Sequence, residues 1–225
     1  MIKRKYFTPE QLITINDPRS PISEAYRTLR TNISYAGIDE PIKKILISGP
    51  NPYCGKTTTV ANLGVTLAQT DTQTLLVDCD LRKPMLHRLF GLENRLGISN
   101  LIFDADNYKL KDLVQKTSLE NLYLLSSGPV PPYPAEMLSS QRMKKLVDYL
   151  STQFSYVLFD SPPVIAVTDA AILSQLVDGV LLVFDHGGVT REEAILAVEQ
   201  LRKGYGNILG AVLNAGPYSD GYYSY

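Results

Sequence analysis

The chain has 225 residues, a formal net charge of −1 and 44% hydrophobic residues, which suits a single α/β domain with one good core. The balanced charge offers no footprint for a nucleic acid, and no apolar run approaches the roughly 18 residues of a membrane span. The N-terminus has no signal-peptide pattern, and two cysteines make neither a disulfide framework nor a metal site. Composition therefore predicts a cytoplasmic protein that does not bind nucleic acid.

Charged residues at helical spacing mark the first long predicted helix, at about residues 21–35. Glu24, Arg27 and Arg30 follow one another at intervals of three and lie within about 120° of one helix face. On its own, this spacing is typical of an exposed ion pair between residues i and i+3 with one further arginine.

The next segment, residues 45–58, is the most informative part of the chain. A short apolar run leads into a tight loop, and a helical pattern follows from Thr59 to about Gln69. Backbone N–H groups at a helix N-terminus surround anionic oxygens, a lysine reaches the outer phosphates, and a threonine hydroxyl can bind Mg²⁺. The pattern predicts a phosphate-binding loop whose nucleotide-binding residues are Gly55, Lys56, Thr57 and Thr58.

This loop departs from the common pattern G-x-x-x-x-G-K-[ST]. Pro50 stands where the pattern has glycine, and Gly49 lies one residue early. Tyr53 and Cys54 bring side chains towards the place where phosphates would lie. Cys54 is open to two interpretations, a redox-sensitive thiol or a passive loop residue.

Apolar, β-rich runs alternate with helical patterns through the rest of the chain. The runs are continuous, as expected for parallel strands that are covered on both faces. The fold predicted is a doubly wound α/β fold, a mostly parallel sheet with helices on both faces and a ligand at the carboxyl ends of the strands. Strands are predicted over residues 74–78, 122–126, 156–160, 179–184 and 208–214, and helices over 109–116, from 135, over 141–153 and over 191–203.

Three acids follow predicted strands. Asp78 and Asp80 come at the end of one apolar run, and Asp160 ends another. In a phosphate-loop enzyme, one such carboxylate holds Mg²⁺ and a second can orient an incoming hydroxyl. Each acid alone is also compatible with a helix N-cap or a loop residue, but together with the phosphate-binding loop they predict one combined site.

Two further residues near these strand ends have two interpretations each. Arg82 follows the acid pair and either approaches a phosphate or forms a salt bridge with Asp78 or Asp80. Asn214 ends the last predicted strand and either contacts the adenine edge or forms a turn.

Tyrosines are concentrated at the end of the sequence. The last nine residues contain no aliphatic side chain and carry Gly, Ser and Asp, which predicts a flexible tail at residues 218–225 after a domain at residues 1–217. The tail is either a mobile end with chance aromatics or a cluster of phosphate acceptors. Its tyrosines are Tyr218, Tyr222, Tyr223 and Tyr225.

The apolar-Asp-x-Asp-x-Arg segment that ends at Arg82 resembles the additional phosphate-loop motif of bacterial tyrosine kinases, cytoplasmic enzymes of exopolysaccharide and capsule systems. The resemblance covers nearly the whole chain. It includes the E-x-x-R-x-x-R helix at residues 24–30 and the segments at residues 81–84, 127–138, 159–164 and 168–170. It implies that residues 1–217 form a P-loop kinase domain.

The resemblance implies ATP and Mg²⁺ as cofactors and a role for each site residue. Lys56 would contact the β- and γ-phosphates, while Thr57 and Asp160 would hold the metal with Asp80 beside it. Asp78 would orient the tyrosine hydroxyl or accept its proton. Catalysis would then depend mainly on positioning and charge neutralisation.

The same resemblance implies partners. The tail tyrosines would be phosphorylated in trans, and Glu24, Arg27 and Arg30 would close a homo-oligomeric ring that tail phosphorylation weakens. A separate transmembrane activator would recruit the kinase to the inner face of the membrane, and other proteins would supply substrate tyrosines.

Two other functions fit the predicted loop. A partition-type ATPase shares the fold but usually carries a signature lysine at the position of Asn51. A non-catalytic scaffold that binds nucleotide is compatible with the unusual Tyr53 and Cys54.

Overall fold

The computed structural model describes residues 11–38, 40–104 and 106–216. Within these ranges a seven-stranded sheet has the order β3-β4-β2-β5-β1-β6-β7, and every neighbouring pair is parallel except β3 and β4. The strands are β1 Lys44–Ser48, β2 Thr74–Asp78, β3 Val114–Lys116, β4 Leu122–Leu125, β5 Tyr156–Asp160, β6 Gly179–Asp185 and β7 Ile208–Asn214.

Helices cover both faces of this sheet. They are α1 Ile13–Asn16, α2 Pro21–Ala36, α3 Lys56–Ala68, α4 Leu86–Leu89, α5 Ile98–Phe103, α6 Leu110–Leu113, α7 Pro134–Leu138, α8 Gln141–Gln153, α9 Asp169–Ser174 and α10 Arg191–Lys203. None of the helices in the described ranges is both long and apolar enough to cross a membrane.

Alternate residues of the central strands enter two different hydrophobic clusters. Leu46 of β1 packs with residues of α8, α9 and α10, whereas Ile45 and Ile47 pack with residues of α2 and α3. Because successive side chains of a strand point to opposite faces, the two clusters form the two layers of the domain. The predicted doubly wound α/β architecture is confirmed.

Side-chain caps fix where several helices begin. Ser20 and Ser140 accept hydrogen bonds from backbone N–H groups in the first turns of α2 and α8. Thr190 and Glu193 form a reciprocal capping box at the start of α10. These caps satisfy N–H groups that have no partner within the helix.

The predicted helix over residues 109–116 is wrong in its second half. Residues Leu110–Leu113 form α6, and Val114–Lys116 then form the antiparallel edge strand β3 on β4. Leu110, Leu113 and Val114 have the spacing of a helix face, but pairing of Val114 with Leu125 across the edge outweighs it. The other edge strand, β7, is half exposed because a strand covers only one side of it.

Candidate active site

Two glycines shape the loop between β1 and α3. Gly55 has a φ of 98°, which favours glycine, and a Cβ there would collide with the Asn214 side chain. A Cβ at Gly49 would collide with the Val183 carbonyl oxygen and with the Cys54 sulfur. Although Gly49 lies one residue early in the motif, the loop therefore depends on it for close packing against β6.

Lys56 is the first residue of α3 and is only 7% exposed. Its Nζ donates to the Asn51 carbonyl oxygen at 3.1 Å and lies 3.9 Å from the Cys54 sulfur. A phosphate held by the loop would offer this ammonium group a charged acceptor, which forms a stronger hydrogen bond than a carbonyl oxygen does.

Thr57, in the first turn of α3, contacts Asp160 at the carboxyl end of the central strand β5. The Thr57 hydroxyl donates to Asp160 Oδ2 at 2.7 Å, and Asp160 is 1% exposed. Burial raises the pKa of Asp160 to about 7, although the Thr57 hydrogen bond opposes this rise. A hydroxyl and a carboxylate are oxygen donors of the kind that Mg²⁺ takes together with phosphates and water, so this pair fits a nucleotide-bound Mg²⁺.

Asp78 lies beside Asp160, because β2 and β5 pair these residues in register. Its Oδ2 accepts from the N–H groups of Met85 and Leu86, both at 3.0 Å, and so caps α4. Its Oδ1 is buried without a hydrogen-bond partner. Burial, with the nearby Asp160 second, raises the pKa of Asp78 well above its ordinary value. One oxygen is thus bound by the backbone at the start of α4, and the other has no hydrogen-bond partner.

Asp80 and Arg82 lie on the loop that follows β2. Asp80 Oδ1 accepts from the N–H groups of Arg82 and Lys83 at 3.3 and 2.9 Å. The Arg82 guanidinium binds neither Asp78 nor Asp80 but makes a two-pronged ion pair with Asp169, at 2.9 and 3.0 Å. Asp169 begins α9 and is fully buried. Sequence reasoning missed this partner, which lies 87 residues away.

Two asparagines fasten the phosphate loop on its other side. Asn214 Nδ2, at the end of β7, donates to the Cys54 carbonyl oxygen at 3.1 Å. Asn51 Nδ2 donates to Glu193 Oε1 at 2.9 Å, so the position of the partition-type lysine holds a side chain already bound to α10. Burial raises the pKa of the Cys54 thiol, which favours its passive interpretation over a reactive thiolate.

A cavity of about 550 Å³ opens beside Lys56 and Thr57. It lies towards β2 and β5, on the opposite side of β1 from β7 and Asn214. Its lining combines apolar and charged residues. The apolar ones include Pro52, Pro162, Pro163, Ala166 and Val167, and the charged ones include Asp80, Arg82, Lys83 and Arg88.

The charged residues of α2 have partners within the chain. Arg27 contacts Glu24 Oε2 and the Pro18 carbonyl oxygen, both at 2.7 Å. Arg30 donates to the Thr66 carbonyl oxygen in the last turn of α3, also at 2.7 Å. The predicted i, i+3 ion pair between Glu24 and Arg27 is thus present.

Two groups of predicted residues lie apart from this cavity or beyond the structure. Thr58 is in the first turn of α3, and neither it nor Gly55, Asp78, Asp160 or Asn214 is among the residues that line the cavity. The predicted acceptors Tyr218, Tyr222, Tyr223 and Tyr225 lie outside the described residues.

Comparisons with known proteins agree with this geometry. A family model described as an AAA domain matches residues 42–199. Tyrosine-protein kinase YwqD of Bacillus subtilis is 41% identical over 203 residues, which cover 90% of this chain and 85% of that protein. Tyrosine-protein kinase Wzc of Salmonella typhimurium is 33% identical over 98% of this chain but only 31% of its own length.

Among solved structures, the kinase domain of the Escherichia coli tyrosine kinase ETK has a TM-score of 0.86 and 32% identity, over 94% of this chain and 84% of that domain. Both the sequence and the fold are therefore shared over nearly the whole chain. The chain belongs to the family of bacterial tyrosine-protein kinases.

Proposed function

We propose that this chain transfers the γ-phosphoryl group of ATP to tyrosine hydroxyls of proteins. The observation that carries the proposal is the joining of Thr57 and Asp160 at 2.7 Å directly beside the buried Asp78. The phosphate loop, two residues that can bind Mg²⁺ and a carboxyl that can accept a proton then share one edge of the sheet.

Each residue has a distinct task in this proposal. Lys56 neutralises charge on the β- and γ-phosphates, and Thr57 and Asp160, with Asp80 beside them, hold Mg²⁺. The metal supplies charge neutralisation on the phosphates when it is bound. Asp78 orients the tyrosine hydroxyl through Oδ1, the oxygen that has no partner.

The transfer exchanges one P–O bond for another. The tyrosine oxygen forms a bond to the γ-phosphorus, the bond between that phosphorus and the β–γ bridging oxygen breaks, and ADP leaves. The tyrosine proton passes to Asp78 Oδ1. Burial raises the pKa of Asp78, which makes its carboxylate a stronger proton acceptor than an exposed one.

We further propose how the kinase is organised. Residues 1–217 act as the kinase domain and residues 218–225 as a tail that a neighbouring subunit phosphorylates in a ring. Arg27 and Arg30 support the ring, and tail phosphorylation disrupts it by adding like charge. The chain acts in the cytoplasm on capsule or exopolysaccharide synthesis, where a separate transmembrane activator recruits it to the membrane.

A mixing experiment tests transfer between subunits. A Lys56→Met chain with an intact tail is incubated with Mg·ATP and a chain whose four tail tyrosines are phenylalanine, with and without an activator's cytoplasmic fragment. We expect phosphotyrosine on the Lys56→Met chain only when the second chain retains Lys56. Release of inorganic phosphate without labelled protein would instead identify an ATPase, and bound ATP without either product would identify a scaffold.

A further inference from the structure

Two cations at the mouth of the active-site cavity have no assigned task. Lys83 and Arg88 line the cavity and are exposed, and neither has an acidic side chain within ion-pair distance among the described residues. The other two cations of the cavity are engaged, because Lys56 lies within the phosphate loop and Arg82 is paired with Asp169.

The segment that carries these cations is held firmly. The N–H of Lys83 donates to Asp80, and the N–H groups of Met85 and Leu86 donate to Asp78. The same segment therefore wraps the two catalytic carboxyls with its backbone and turns charged side chains towards the cavity. The backbone that carries Lys83 and Arg88 is consequently anchored close to the point at which a tyrosine hydroxyl would react.

The location favours the protein substrate over the nucleotide. The cavity opens on the side of β2 and β5, whereas Asn214 closes the phosphate loop on the side of β7. The apolar lining residues Pro162, Pro163 and Val167 suit an aromatic ring, and the cations suit an anion close to that ring.

We propose, building on the proposed kinase function, that Lys83 and Arg88 select tyrosines that have an acidic residue nearby in the sequence. The carboxylate of that residue would lie against the two cations while the tyrosine ring lies on Pro162 and Pro163. The chain's own tail has this chemistry, since Asp220 is two residues from both Tyr218 and Tyr222.

Peptide binding tests the proposal without requiring phosphate transfer. Fluorescein-labelled peptides with the sequence of residues 217–225, and with Asp220→Asn or Asp220→Lys, are titrated with the full chain and Mg·ADP at low salt. We expect the native peptide to bind about threefold more tightly than the asparagine peptide and about tenfold more tightly than the lysine peptide. High salt should reduce this preference.

A charge reversal gives the sharper result. In K83E/R88E the order should invert, so that the lysine peptide binds best, whereas K144E/K145E, on the exposed face of α8, should keep the original order. Equal binding of the three peptides, no peptide binding, or a preference that survives K83E/R88E would overturn the proposal.

Two further measurements separate the possible failures. ADP binding should be unchanged in K83E/R88E, and its loss would assign the two cations to the nucleotide and overturn the proposal. The same peptides are then incubated with Mg·ATP. A preference for the acidic peptide without any phosphate transfer would refute the kinase function but support acidic selection. Phosphate transfer without a preference among the peptides would support the kinase function but refute acidic selection.

Discussion

The acid cluster at the sheet edge, Asp78 and Asp160, and the charged face of α2 were both predicted from short sequence motifs, but their charged groups have different environments. Asp78 and Asp160 are at most 1% exposed, and burial raises the pKa of each. Glu24 and Arg27 are respectively 51% and 31% exposed at their side chains, and they pair with each other. In the cluster, burial therefore disfavours the charged form of the carboxyls, which is typical of a reactive site. On α2 the charges are hydrated, and breaking their ion pair to contact a partner would cost little free energy.

The largest expected effect comes from breaking the acid cluster. Asp160→Asn keeps the shape of the side chain but removes the charge that we assign to the metal, so phosphotyrosine formation should fall about 10²- to 10³-fold. The rate is measured by initial phosphotyrosine appearance at saturating Mg·ATP. Asp148→Asn, at an exposed carboxylate on α8, is the matched control and should keep the wild-type rate.

The Arg82–Asp169 ion pair offers a second test of buried charge, because its two partners are unequally buried. Arg82→Ala leaves the fully buried Asp169 without its cation and should lower the free energy of unfolding by about 3 kcal/mol. Asp169→Ala should cost less, since the Arg82 side chain is 38% exposed and can be hydrated.

Urea denaturation of these two variants and of R82A/D169A measures the asymmetry. The double variant should be more stable than Arg82→Ala alone, because no buried charge then remains unpaired. Equal losses in both single variants would contradict the assigned burial of this pair.

The pH dependence of stability tests whether burial raises the pKa of Asp160. The pKa of Asp160 is about 7 in the folded chain against an ordinary 3.8, so the folded state binds more protons between these values. The contribution of Asp160 to the free energy of unfolding without nucleotide should therefore be fully present below pH about 4 and be lost as pH rises through about 7.

Melting temperatures at pH 5 and pH 8 check this dependence. The difference between them should shrink in Asp160→Asn and persist in Glu120→Gln, at an exposed carboxylate. An unchanged difference in Asp160→Asn would show that other groups control the pH dependence.

The smallest effects on stability are expected on α2. Arg30→Ala loses the hydrogen bond to the Thr66 carbonyl oxygen and should cost about 1 kcal/mol, and Glu24→Gln should cost about 0.3 kcal/mol. If α2 closes a ring, R27A/R30A should still lower the oligomer mass measured by light scattering. Arg95→Ala, at an exposed ion pair, serves as the control, and an unchanged mass in R27A/R30A would refute the ring.

Much of this architecture could be predicted because buried parallel strands leave continuous apolar runs in the sequence. β2, β5 and β7 have the predicted bounds, and the carboxyl ends of β2 and β5 bring Asp78 and Asp160 together. The antiparallel edge β3 was missed because three residues are too few for a periodic pattern.

The supports of the site could not be predicted in the same way. Asp169 reaches Arg82 from 87 residues away, and Glu193 reaches Asn51 from 142 residues away. Such pairs depend on how helices dock on the sheet, and a single sequence carries no local signal for them. The clamp of Asn214 on the phosphate loop was likewise visible only in three dimensions.

One measurement tests the central claim most directly. The full chain and its Lys56→Met variant are incubated with Mg·ATP and an activator fragment, and phosphotyrosines are located by intact-mass and peptide analysis. We predict phosphate on Tyr218, Tyr222, Tyr223 and Tyr225 in the first chain and none in the variant. Phosphate confined to tyrosines of the folded domain, or undiminished labelling of Lys56→Met, would contradict the account.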